Sequence, residues 1–185
     1  TMHGFVEQVK LCKKYGVKPI VGCEIYEVDN YLEKNDSKEY TQPRYHLVLL
    51  ASKQVGLQNL FKIVSEAATT GMYKKPRISI NWIKENNLGE GIICLTACQV
   101  GRLSRYLENG MYDEAEEFVN LLKDTFDYVA CEIQSHKTEQ QLKCNTLIYK
   151  FARHMNMPYV ITTDAHMLSA NQIDTHSIFV SIGEG

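Results

Sequence analysis

The sequence has no Cys-x-x-Cys pair, no apolar run approaching about 18 residues, and no surplus of one charge. Each absence removes a class of protein. The six cysteines, at 12, 23, 94, 98, 131 and 144, stand singly and mostly inside apolar runs. That is the pattern of reduced cytosolic thiols, not of a disulfide framework. With no long apolar run, and no signal peptide before the first helix, no membrane partner and a cytoplasmic location are expected. A formal net charge of −2 gives no global positive field, so any contact with nucleic acid has to be local. What is present is a chain of 185 residues, 44% hydrophobic and 23% charged, the balance of a folded protein rather than a disordered tail. Its length suits a single domain over 1–185.

The chain alternates strands and amphipathic helices. Phe5, Val6, Val9 and Cys12 form a helical stripe that ends at Gly16. Residues 19–28 (PIVGCEIYEV) read as a strand, and 29–44, with Asn30, Asn35, Asp36 and Pro43, as a long polar loop. Further strands are expected at 45–51 (YHLVLLA), 91–98 (GIICLTAC), 128–134 (YVACEIQ) and from Pro158 onward. Between them, Leu57 to Ala68, Ala115 to Leu122 and Leu147 to Met155 carry helical apolar faces, and Thr138 with Gln141 forms a capping-box pattern. Residues 73–79 (YKKPRIS) read as a basic loop. Strands apolar on both faces and separated by helices imply an α/β fold with parallel pairing under helical cover.

In such folds the working residues gather at strand C-termini. Glu24, Cys98, Asp164 and His166 fall at such ends, and Glu132 and His136 lie near another. A carboxylate, a thiolate and an imidazole on one rim form a mixed oxygen, sulfur and nitrogen donor set, suited to zinc or to several divalent ions. Each member also has a plainer reading. A strand-end acid such as Glu24 is more often a cap or a partner for a base. Cys98 alone is a small buried hydrophobe. Asp164 and His166 make the stronger pair, because spacing by two on an extended chain puts both on one side. His46 stands at the start of its strand, at odds with the others. His3, His154 and His176 sit on helical patterns, where an exposed or capping histidine is the default. Lys74, Lys75 and Arg77 form a short basic cluster, either a solvated loop or a contact for nucleic-acid phosphate.

The segments GVKPIVGCEIYEV, YHLVLLA with GLQNLFKIVSEA, GMYKKPRI, GIICLTACQVGRL, EIQSH and PYVITTDAH resemble, in order and over essentially the whole chain, a known family. It is the polymerase-and-histidinol-phosphatase (PHP) domain of the bacterial DNA polymerase III α subunit. The resemblance implies a distorted seven-stranded β/α barrel with divalent metals, zinc or manganese and also magnesium, on its C-terminal rim. By matching motifs, Glu24, His46, Cys98, Asp164 and His166 take ligand positions, with Glu24, Asp164 and His166 as the catalytic members. The family's first two strands and their histidine motifs have no counterpart, so about five strand-helix units and five ligand positions are expected here.

Three functions follow from the resemblance. The first is metal-dependent phosphoesterase or 3′-to-5′ exonuclease chemistry within a DNA-replicating polymerase. The second is a catalytically silent module that supports the polymerase and docks a partner. The third is a free-standing relative of histidinol phosphatase. The implied partners are the rest of the α subunit, primer-template DNA and other replisome subunits. Loss of two barrel strands would expose edges at the Pro19 and Pro158 strands, and such edges invite pairing. Either upstream residues outside this sequence cover those edges or, if Thr1 is the true start, self-association is expected, and light scattering at micromolar concentration checks it: a cooperatively melting monomer without upstream residues would contradict it.

Overall fold

The strands expected from sequence are all present, and they form one mixed sheet. The computed structural model describes residues 2–34 and 42–184; Thr1 and the loop residues Asn35 and Asp36 lie outside the described residues. In chain order the elements are α1 (Phe5–Lys14), β1 (Gly22–Glu27), β2 (Tyr45–Ala51), α2 (Gln54–Ala68), β3 (Met72–Tyr73), β4 (Lys75–Ile78), α3 (Ile80–Glu85), β5 (Ile92–Leu95) and α4 (Arg102–Glu108). Then come α5 (Tyr112–Thr125), β6 (Tyr128–Gln134), α6 (Glu139–His154), β7 (Tyr159–Thr162), a 3₁₀ turn (Ala170–Gln172) and α7 (Ile173–Glu184). The seven strands are ordered β3-β4-β1-β2-β5-β6-β7.

Three expectations need correction. Parallel pairing holds for β1–β4, β5–β6 and β6–β7, but β2 runs antiparallel to both β1 and β5. Among its described residues the connection from β1 to β2 carries no helix, and a strand that returns without a crossover comes back antiparallel. The supposed basic loop is a hairpin: Met72 faces Pro76 and Tyr73 faces Lys75, with Lys74 at the turn at φ 58°. Its lysines and proline masked the strand signal. Of the two expected edges, β7 does end the sheet, whereas β1 lies inside it. Its partner β4 reaches only Tyr26 and Glu27. The pairings among the described residues do not join β3 to β7, so the fold is a mixed α/β sheet and a closed barrel is not shown.

Alternation along the strands sorts the two faces. In β1, Cys23, Ile25 and Glu27 are buried while Glu24 is exposed, and in β2 Leu47 and Leu49 are buried between less covered neighbours. Those apolar positions meet Leu60, Ile63 and Ala67 of α2 in the main core. Ala115, Phe118, Val119 and Leu122 of α5 are buried, as are Cys144, Ile148, Phe151 and Ala152 of α6. The expected cap of α6 is formed, with the Gln141 backbone N–H donating to the Thr138 hydroxyl at 3.2 Å. The α1 stripe buries no residue and meets the body through an edge-to-face contact of Phe5 with Phe61. At the opposite end of the sheet from the C-termini of its parallel strands, the backbones of Gly56 and Gly91 touch so closely that a Cβ on either would clash, and Gly91 has φ +73°.

A buried ion pair ties β1 to α4. Arg102 donates from Nε and Nη2 to the two carboxylate oxygens of Glu27 at 2.8 and 2.9 Å. Its guanidinium also reaches Asp29 at 2.6 Å and lies 4.4 Å from the centre of the Tyr45 ring. Both partners are buried, so removing one strands a charge in a dry site. Arg102→Ala is expected to cost about 3–5 kcal/mol in urea unfolding, while an apolar replacement of both partners costs less.

Candidate functional site

The reversal of β2 decides where His46 goes. Because β2 runs against β1, its first residues lie at the rim where β1 ends, and Tyr26 is the cross-strand partner of His46. The histidine's backbone N–H donates to the Val100 carbonyl at 3.3 Å, drawing the loop after β5 onto the strand. That loop is closed by Gly101 N–H to the Cys98 carbonyl at 2.8 Å and by the Ser104 hydroxyl to the same carbonyl at 2.9 Å. Three side chains, from β1, β2 and the loop after β5, thereby converge. His46 Nδ1 stands 2.7 Å from Glu24 Oε1 and 3.6 Å from Cys98 Sγ. The apparent misplacement of His46 disappears once the strand direction is known.

Asp164 and His166 form a second group beyond β7. The strand ends at Thr162, and Asp164 has φ +46°, so the pair is not set side by side by an extended chain as its spacing implied. They are neighbours through a tight turn instead: His166 Nδ1 lies 2.7 Å from the Asp164 carbonyl oxygen. A carbonyl oxygen can only accept, so Nδ1 is the donor in this contact. The His136 imidazole lies 3.6 Å from Asp164 Oδ2, and the His166 and His176 rings are 6.0 Å apart. His166 also contributes to lowering the Glu24 carboxyl.

Residues 1–136 match the family described as the PHP domain. The chain belongs to the PHP domain family. It is 33% identical to the DNA polymerase III subunit alpha of Treponema pallidum (strain Nichols) over 186 residues, covering 98% of this chain and 16% of that protein. To the subunit of the same name from Borreliella burgdorferi it is 30% identical over 100% of this chain and 16% of the relative. To that of Thermus aquaticus it is 31% identical over 98% and 15%. The chain therefore spans about one sixth of the length of these curated relatives. The PHP match includes Glu24, His46 and Cys98 and stops before Asp164 and His166, which the longer polymerase similarity covers.

The donor chemistry of the PHP rim suits a divalent ion, with carboxylate, imidazole and thiol all represented. A ready-made cage is another matter. Among the described residues no three His, Cys, Asp or Glu side chains are gathered as one metal would need. Glu24 and Cys98 both address a single nitrogen of His46, and Asp164 with His166 forms a separate group. The basic cluster also divides. Arg77 is 2% exposed and donates to the carbonyls of Tyr31 and Glu33 at 3.3 and 2.7 Å, so it clamps the loop after β1 rather than reaching a DNA backbone. Lys75 lines a groove of about 450 Å³ with Glu24 and Tyr26, on the approach to the rim. Sequence reasoning left two neighbours of the site unassigned, His136 and the inward-facing Glu132. The two-residue alternation of β6 is the signal that could have placed Glu132 on the face opposite Cys131.

The charge state of His46 follows from these contacts. Cys98 and Glu24 together hold the imidazolium and push its pKa up to about 10. The Glu24 contact is the tighter of the two, and the His46 hydrogen bond holds the Glu24 carboxyl below its usual range. A raised histidine stabilises the fold fully below its unfolded value near 6.5, and that contribution fades as pH rises toward 10. In metal-free protein the His46 ring resonances are therefore expected to show no titration between pH 5 and 8 by NMR, and Glu24→Gln should bring a midpoint back toward neutrality.

Proposed function

We propose that this PHP domain serves a bacterial replicative polymerase as a divalent-metal phosphoesterase site of the 3′-to-5′ exonuclease type. What supports the reading is the convergence of Glu24, His46 and Cys98, together with the separate group that Asp164 and His166 form beyond β7. A bound divalent ion supplies Lewis acidity and a water of lowered pKa. The chain's own residues do the rest. Glu24, His46 and Cys98 would hold an ion on the β1–β2 side, and Asp164 and His166 would offer ligands beyond β7. Lys74 and Lys75 meet the phosphate backbone as sequence-independent contacts. Since His46 is protonated in the free protein, ion binding has to release a proton and strengthens as pH rises.

A second reading has its own support. Ile161, Leu168, Phe179 and Ile182 are between 69% and 94% exposed, an apolar surface that fits a supporting and docking role against the rest of the polymerase. Ion binding separates the two. The 185-residue chain should take up one or two Zn²⁺ or Mn²⁺ ions by elemental analysis after dialysis. Glu24→Gln or Asp164→Asn should weaken uptake about 10- to 100-fold. Absence of binding from pH 6 to 8 would reject the metal reading and leave the docking role. Hydrolysis of a primer terminus by this chain alone is expected to be negligible, because the two ligand groups do not close round one position. Metal-dependent digestion that survives repurification and is lost in Asp164→Asn would reverse that expectation.

A further inference from the structure

The run Glu132-Ile-Gln-Ser-His136 at the end of β6 has no part in the chemistry above. We propose that Glu132 and His136 are positioning residues that fix the turn carrying Asp164 and His166. The idea rests on the metal reading for its purpose but not for its geometry.

Among the described residues strand β7 has one neighbour, β6, and it is four residues long. Its register sets Glu132 opposite Val160 and Gln134 opposite Thr162. Glu132 Oε1 accepts from the Thr162 hydroxyl at 2.6 Å and from Gln134 Nε2 at 3.3 Å. The base of this grip is itself held. The Glu132 backbone N–H donates to Thr96 Oγ1 at 3.0 Å, and Asn145 of α6 donates to the Gln134 carbonyl at 2.7 Å. Two residues past Thr162, His136 meets Asp164 at 3.6 Å. Strand β6 and the two residues after it therefore grip the turn on both sides of Thr163.

Stability does not explain Glu132. The residue is 5% exposed, and its second oxygen, Oε2, is buried with no hydrogen-bond partner among the described residues. Half of a buried carboxylate is thus left unsatisfied, where an apolar side chain of similar size would be neutral or better. What the carboxylate supplies is a strong acceptor for Thr162, at the point where a short end strand turns into Asp164 with φ +46°.

The test compares site-resolved amide hydrogen exchange across residues 163–166, in ion-stripped protein, with global melting and with Zn²⁺ titration. Glu132→Leu and Thr162→Val should speed exchange across 163–166 about tenfold, the scale of one lost charge-assisted hydrogen bond. Exchange in β5 and α6 should stay near wild type. Glu132→Gln keeps an acceptor and Thr162→Ser keeps the hydroxyl, so both should behave as wild type. His136→Ala, at a half-exposed position, should leave melting unchanged and weaken Zn²⁺ binding about 10- to 100-fold. Unchanged exchange at 163–166 in the Leu and Val variants overturns the role of Glu132, as does an equal rise throughout the core. Unaltered Zn²⁺ affinity in His136→Ala removes His136. If the wild type binds no Zn²⁺, the metal reading fails, while the exchange result still decides whether Glu132 holds the turn.

Discussion

The direction of β2 is the constraint on which the rest of this domain depends. Six paired residues, from Gly22 with Leu50 to Glu27 with Tyr45, commit it to run against β1. The same strand then runs against β5, so the sheet's centre is antiparallel and its flanks parallel. An all-parallel sheet would place His46 at the far end from Glu24. Reversal places it next to Glu24, and the bridge from His46 to the loop at Gly101 brings Cys98 to the same point. A backbone decision thus assembles a site from residues 24, 46 and 98.

Much of the fold was legible because its signals are local. Runs rich in apolar and β-forming residues marked β1, β2, β5, β6 and β7, and Thr138 with Gln141 marked the start of α6. Strand direction was not legible, because a polar loop says only that no crossover helix intervenes, and that clue at 29–44 went unused. The β3–β4 hairpin hid behind Lys74, Lys75 and Pro76, residues that disfavour strands on their own and are tolerated in two- and four-residue ones. Of the site, the residue types at strand ends were readable and their contacts were not. Arg77 shows the limit: in sequence it belongs with two lysines, and in space it is sealed under the loop from Tyr31 to Glu33.

The free rim neutralises itself. With Glu24 ionised and His46 protonated at 2.7 Å, the carboxylate has a cation beside it without any metal present. On the proposed metal reading, proton and metal would compete for one imidazole. The buried Glu27–Arg102 pair, on the other side of the same strand, takes no part in that exchange because both of its members are enclosed.

The positive φ of Asp164 bears on how such a domain can change over generations. Aspartate, asparagine and glycine tolerate a left-handed backbone, whereas most residues with a full Cβ do so at a cost. On the proposed metal reading, position 164 is therefore filtered twice, once by the chemistry of a carboxylate and once by the shape of the turn. A lineage that gave up its metal would be released from the first filter and not from the second. Its drift at this position would run to asparagine or glycine well before alanine or valine, so the turn would outlive the chemistry proposed for it.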